Sequence, residues 1–133
     1  MSMKTLTLIG FGEAGAIFGE DLAASGVTVY AYDRLQENPG TRAAIYDKAD
    51  RCGVQLCNSF AQAIALADWV ISAVTADEAL AVAQAAAVLM RSDQLFIDIN
   101  SVAPSTKQAA FASMQRHGVG YICLLYTSDA ADE

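Results

Sequence analysis

The chain predicts an α/β fold, a doubly wound parallel sheet in a single domain, and three observations carry that prediction. A short apolar run, Thr5-Leu6-Thr7-Leu8-Ile9, leads straight into Gly10-Phe11-Gly12-Glu13-Ala14-Gly15 and then into a helical pattern. A second apolar run over residues 27–32 closes that unit on an acid, Asp33. Strand and helix signals then alternate along the chain, and residues 69–74 are nearly all apolar, as a strand covered on both faces must be.

Each element has its own signal. The first strand is followed by a helix over residues 14–25, with Ala14, Phe18, Leu22 and Ser25 on one face and Gly26 ending it as a C′ glycine. After Asp33 comes a polar loop with Asn38-Pro39-Gly40, then a helix over 41–51 that Gly53 breaks. Residues 54–57 read as a short strand. Asn58 or Ser59 caps a helix over 60–66, and the apolar strand at 69–74 follows. An alanine-rich helix fills 77–90. Its residues Ala79, Leu80, Val82, Ala83, Ala86, Ala87 and Met90 are expected to pack on the sheet rather than meet a ligand. A strand at 95–99 precedes a helix from Pro104 to about Arg116, proline being well suited to a first helical turn. A sixth strand is expected to start near Gly120.

Right-handed crossovers and the strand order 3-2-1-4-5-6 place the first and fourth strands side by side at the switch point. Three loops then converge beyond their carboxyl ends: residues 10–15, residues 74–76, and Asn100-Ser101.

The glycine spacing is G-x-G-x-x-G in the context of a strand, a turn, a helix and a second strand capped by an acid, the fingerprint of a Rossmann dinucleotide site. Gly10 is expected to make the tight turn, Gly12 to let backbone approach a pyrophosphate, and Gly15 to let the helix pack closely. The pyrophosphate would rest on the free N–H groups at the helix start, where the dipole favours negative charge. Asp33 lies 18 residues after Gly15, where a carboxylate would meet the adenosine ribose. Asp33 favours NAD over NADP, and the neighbouring Arg34 weakens that preference because it could pair with a 2′-phosphate.

Composition excludes other classes. At 133 residues the chain has the size of one domain, and 54% apolar with 17% charged residues suits a globular core. A net charge of −7 with only eight scattered Lys and Arg argues against nucleic-acid binding. No apolar run approaches the roughly 18 residues of a membrane span, and no signal peptide is read at Met1-Ser2-Met3-Lys4, so a cytoplasmic location is expected. Cys52, Cys57 and Cys123 form no CxxC pair and read as buried thiols. His117, the one histidine, reads as a surface residue near a helix end. No metal site is expected.

The glycine motif together with Asp98-Ile99-Asn100-Ser101-Val102-Ala103-Pro104 resembles the N-terminal domain of the β-hydroxyacid dehydrogenases, the group of the 6-phosphogluconate and 3-hydroxyisobutyrate dehydrogenases. The resemblance covers residues 4 to 122. It implies that Gly10, Phe11, Gly12, Glu13, Ala14 and Gly15 hold the pyrophosphate and that Asp33 and Arg34 meet the adenosine ribose. It implies further that Val74 and Thr75 line the cofactor, Asn100 lies near the nicotinamide, and Ser101 lies near a small hydroxy-acid substrate. The alternative for Asn100 and Ser101 is loop and capping chemistry before the Pro104 helix.

In this family a lysine beyond the first domain assists hydride transfer, and a helical second domain shapes the substrate pocket and the homodimer. Lys4, Lys48 and Lys107 occupy other positions, so the chain itself is expected to bind cofactor without turnover and no catalytic residue is assigned. Residues 123–133 look like the in-frame translation of a transposase adapter used in sequencing libraries. They are expected to be a non-native tail after a cofactor domain at 1–122, although Cys123-Leu124-Leu125-Tyr126 is apolar enough to extend the sixth strand. Two other functions share parts of this pattern. A non-catalytic NAD(H)-sensing module is disfavoured by Asn100-Ser101, and an S-adenosylmethionine methyltransferase is disfavoured by the third glycine.

Overall fold

The computed structural model describes residues 4–124. Six strands form one parallel sheet in the order β3-β2-β1-β4-β5-β6: β1 (Thr5–Ile9), β2 (Thr28–Tyr32), β3 (Gln55–Leu56), β4 (Trp69–Ser72), β5 (Leu95–Asp98) and β6 (Gly120–Cys123). The expected strand order is the observed one. Five helices connect the strands: α1 (Glu13–Ala24), α2 (Pro39–Cys52), α3 (Phe60–Leu66), α4 (Ala79–Leu89) and α5 (Pro104–Arg116).

Side chains alternate across each strand, so the sheet buries two cores. On one face Leu6, Leu8, Val29, Ala31 and Ile71 meet Ala16 of α1 and Ile45 and Ala49 of α2. On the other, Ile9, Val70 and Phe96 meet Ile64 of α3, Ala83 and Ala87 of α4, and Met114 of α5. Thr7 faces this second core and is fully buried, and its hydroxyl donates to the Ala63 carbonyl at 2.6 Å. A β-branched polar residue is thereby satisfied inside the sheet.

Several boundaries move, each for a local reason. The buried stripe of α1 is Gly15, Ala16 and Gly19, whereas Ala14 and Ser25 of the expected face are exposed. Close approach to the sheet selects the smallest residues rather than the most apolar ones. Gly26 follows α1 with φ +93°, the expected left-handed C′ position. The loop after Asp33 is ordered as a 3₁₀ turn, Arg34–Glu37. Helix α2 starts at Pro39, earlier than expected, because Asn38 Oδ1 accepts the Gly40 amide hydrogen at 2.8 Å. The strand expected over 69–74 stops at Ser72, and α4 starts at Ala79 after a turn at 75–78.

Cys52 and Cys57 are buried as expected, and burial pushes the Cys57 thiol up. Cys123 is only half-buried because β6 is an edge strand. His117 caps the end of α5 and is exposed. Among the described residues no helix is long and apolar enough to cross a membrane. Of the expected tail, Cys123 lies in β6 opposite Asp98, and the Leu124 amide donates to the Asp98 carbonyl at 2.9 Å. Residues 125–133 lie outside the described residues.

Candidate functional site

The glycine turn is fixed from both sides of the sheet's centre. Gly10 takes φ +97°, and a Cβ there would stand 2.2 Å from the Ala73 carbonyl oxygen at the end of β4. Only glycine meets both conditions. A Cβ on Gly15 would come within 2.5 Å of the Gly10 carbonyl oxygen, so the third glycine packs α1 onto the turn itself. Gly12 differs from both. Nothing lies within 4 Å of the Cβ it lacks, and that atom would project into open space. Gly12 is also the N-cap of α1 and supplies no side chain to the first helical amides. The turn therefore presents bare backbone donors to a cradle that a side chain would fill.

Phe11 contributes backbone only. Its ring is fully buried in the α1–α2 core, away from the cavity, because an aromatic there gains more from core packing. Its amide donates to Asp33 Oδ2 at 2.7 Å and its carbonyl accepts from Lys48 Nζ at 3.0 Å. The Phe11 amide, the one donor it could offer a pyrophosphate, is thus already paired. Asp33 in turn accepts the Leu35 amide on Oδ1 at 2.9 Å, and its own amide donates to Gln36 Oε1 at 3.0 Å. Buried Gln36 anchors this capping box through Nε2 to the Cys57 carbonyl at 2.6 Å. The carboxylate is held rigidly at the carboxyl end of β2.

Across the switch point, Val74 and Thr75 follow β4. The Val74 amide donates to Asn100 Oδ1 at 2.7 Å, and Asn100 Nδ2 donates to Ser72 Oγ at 3.0 Å. Asn100 is buried and its amide side chain is spent tying the ends of β4 and β5 together. In this structure Asn100 ties the loops that leave β4 and β5. Ser101 is exposed. The Thr75 hydroxyl donates to Asp77 Oδ1 at 2.7 Å, which holds the Asp77 carboxyl below its usual range.

A buried ionic cluster lies behind this loop. Lys107 Nζ reaches Asp98 Oδ1 at 3.1 Å, and the Tyr121 hydroxyl donates to Asp98 Oδ2 at 2.9 Å. Burial, then the Asp98 carboxylate, push the Tyr121 phenol well above its ordinary value. Periodicity carries no warning of the cluster, because a lysine at one helical position makes no repeating signal. Lys48 and Lys107 are both engaged in structural contacts, and Lys4 is exposed ahead of β1.

The turn, the end of β2 and the 73–78 segment enclose a cavity of about 690 Å³, within the range of cofactor clefts. Gly10, Gly12, Glu13, Ala14, Gly15, Asp33, Arg34, Val74 and Thr75 line it, whereas Phe11, Asn100 and Ser101 do not. The α4 face contributes Glu78, Ala81, Val82 and Ala85, so Val82 meets the cavity and not only the sheet. The alanine-rich pattern of that helix marks its sheet-facing side and carries no signal for the edge that meets the cavity. Tyr32 also lines the wall, and burial followed by its hydrogen bond to Glu37 raises its pKa to about 12. A cleft floored by bare helix amides, with a fixed carboxylate in its lining, fits a dinucleotide.

The comparisons agree with the geometry. The family model described as the NAD binding domain of 6-phosphogluconate dehydrogenase matches residues 5–123. A conserved hypothetical protein from Sinorhizobium meliloti 1021 is 32% identical with a TM-score of 0.85, over 92% of this chain and 41% of that one. A 3-hydroxyisobutyrate dehydrogenase from Mycobacterium tuberculosis, solved with L-serine, is 24% identical with a TM-score of 0.79, over 92% of this chain and 40% of that one. An imine reductase from Myxococcus stipitatus in complex with NADP+ is 20% identical with a TM-score of 0.75, over 90% of this chain and 39% of that one. The latter two likenesses show the fold alone. No curated protein matches the chain. The chain spans about two-fifths of the length of these solved structures. With the family model matched along almost all of its described length, the chain belongs to the family of the 6-phosphogluconate dehydrogenase NAD-binding domain and is an NAD(P)-binding domain of the oxidoreductase type.

Proposed function

We propose that the chain is the cofactor-binding part of a 3-hydroxyacid-type dehydrogenase, with NAD as the preferred nucleotide. The observation that carries the proposal is the open space at Gly12 above uncapped helix amides, with Asp33 fixed beside the glycine turn in the lining of the same cavity. The amides of residues 12–15 would hold the pyrophosphate, Asp33 the adenosine ribose, and Val74 and Thr75 the wall beside the nicotinamide half. The bound nucleotide supplies the hydride acceptor or donor, and the chain's own residues bind and orient it. Ser101, exposed beyond β5, is the residue proposed to approach a small hydroxy acid. Asn100 acts by positioning the Val74 amide rather than by touching the nucleotide.

Binding without turnover is proposed for the 133-residue chain. No lysine lines the cavity among the described residues, so no ammonium stands ready to exchange a proton with a substrate oxygen. A cytoplasmic location, a hydroxy-acid substrate, assembly through a further domain and a non-native segment over 123–133 belong to the same proposal. Titration of the purified chain with NADH, followed by nicotinamide fluorescence, tests it together with an assay of 3-hydroxy-acid oxidation. Saturable binding in the micromolar range or weaker, with no oxidation, is expected. Measurable turnover would overturn the proposal of inactivity, and absence of binding would overturn the dinucleotide reading.

A further inference from the structure

Arg34 is the only cation lining the cavity among the described residues, and three carboxylates share that lining: Glu13, Asp33 and Glu78. Arg34 lies in the turn after β2, immediately beyond the ribose-facing Asp33. Glu78 lies on the opposite wall, ahead of α4, in a turn closed by its own amide donating to the Thr75 carbonyl at 3.0 Å. The two side chains meet across the mouth, Arg34 Nη2 to Glu78 Oε2 at 2.5 Å. Glu78 is the better-buried partner, with 27% of its side chain exposed against 71% for Arg34. Asp77, next along the chain, is held as a carboxylate mainly by the Thr75 hydroxyl and to a smaller degree by the Arg34 charge.

A guanidinium beside an adenosine ribose is the natural partner of a 2′-phosphate, which it grips through two parallel N–H donors. Here its Nη2 is already engaged by Glu78. A phosphate gripped through that edge would displace Glu78, and one gripped through the remaining donors would still meet the carboxylates of Glu78 and Asp33 in the same cavity lining. A 2′-hydroxyl asks for no such exchange, because Asp33 can accept its hydrogen while the ion pair stays closed.

We propose that Glu78 is a specificity-determining residue of this site: by occupying Arg34 it denies the ribose 2′-phosphate its cation and sets the preference for NAD over NADP. The proposal rests on the dinucleotide reading above and names the residue that resolves the conflict between Asp33 and Arg34. It places a determinant on the β4–α4 connection, 45 residues after the acid that ordinarily decides the matter.

The test is parallel titration of NADH and NADPH into the wild type, Glu78→Gln, Arg34→Ala and the double variant. The wild type is expected to bind NADH more tightly. Glu78→Gln is expected to shift the NADH-to-NADPH affinity ratio toward NADPH by about tenfold, the effect of freeing one charge-assisted contact. In the Arg34→Ala background the same substitution is expected to shift the ratio by less than about threefold, because the freed cation is gone. An unchanged ratio in Glu78→Gln, a shift that survives without Arg34, or a wild type that prefers NADPH would each overturn the proposal. A wild type that binds neither nucleotide overturns the dinucleotide reading, and this inference with it.

Discussion

Asp33 Oδ2 and the Phe11 amide nitrogen lie 2.7 Å apart, joining the carboxyl end of β2 to the glycine turn across 22 residues of sequence. The carboxylate that would read the ribose is therefore also a structural acceptor. Asp33→Ala should leave the Phe11 amide without its partner and cost about 1–3 kcal/mol of stability. Asp33→Asn keeps one acceptor oxygen for the Phe11 amide but turns its NH2 toward the Leu35 amide, so it should recover part of that loss while still weakening NADH. Denaturant melts beside nucleotide titrations separate the two roles, and equal stability of both variants would contradict the account.

Gly12 and Gly15 should part company on substitution by alanine. A Cβ on Gly15 would sit 2.5 Å from the Gly10 carbonyl oxygen, so Gly15→Ala should destabilise the fold by about 1–3 kcal/mol. Gly12 has φ −76° and no neighbour within 4 Å of the missing Cβ, so Gly12→Ala should cost only about 0.5–1 kcal/mol, the N-cap preference for glycine over alanine. Its methyl group should nevertheless reduce NADH affinity by tenfold or more, since it would fill the space proposed for the pyrophosphate. A melting temperature lowered as far as that of Gly15→Ala would contradict this separation.

Lys107→Met should be among the most damaging single changes outside the glycine turn. It strands the Asp98 carboxylate, of which only 2% is exposed, and breaking such a buried pair typically costs about 3–5 kcal/mol. Tyr121→Phe removes one of the hydrogen bonds to the same carboxylate and should cost about 1–3 kcal/mol. Urea denaturation of the two single variants and the double variant should show strong non-additivity, because both act through Asp98.

Asp68 gives the stability a dependence on acid pH. Its Oδ2 accepts the Thr5 amide hydrogen at 3.0 Å, and that bond, foremost, lowers its carboxyl pKa. A carboxyl whose folded pKa is depressed adds stability above its unfolded value, about 4, and loses it as the pH falls through the folded value. The stability difference between wild type and Asp68→Asn should accordingly be present at neutral pH and shrink below about pH 4. A difference that does not change with pH would contradict the assignment.

Periodicity and turn chemistry made the frame legible before any coordinates. The run into Gly10-Phe11-Gly12-Glu13-Ala14-Gly15 and the acid at Asp33 located β1, α1 and β2, and the alternation that follows implied the strand order. Asp33, Val74 and Thr75 were legible as cavity residues because topology alone brings strand ends together. Local competition for hydrogen bonds was not legible. Asn100 and Phe11 stand in motif positions, yet one spends its side chain on Val74 and Ser72 and the other buries its ring. The Arg34–Glu78 pair and the Lys107–Asp98–Tyr121 cluster join residues on different elements, and no spacing rule reaches them.

The most direct measurement of the central claim is the mapping of backbone amide NMR shifts as NADH is added to the chain. The account predicts that the largest shifts fall on residues 12–15, on Asp33 and Arg34, and on Val74 and Thr75, the segments that meet at the cavity. It also predicts that Gly12→Ala abolishes them at equal nucleotide concentration. Shifts concentrated elsewhere, such as the groove between α1 and α2 lined by Lys48 and Arg51, would contradict it.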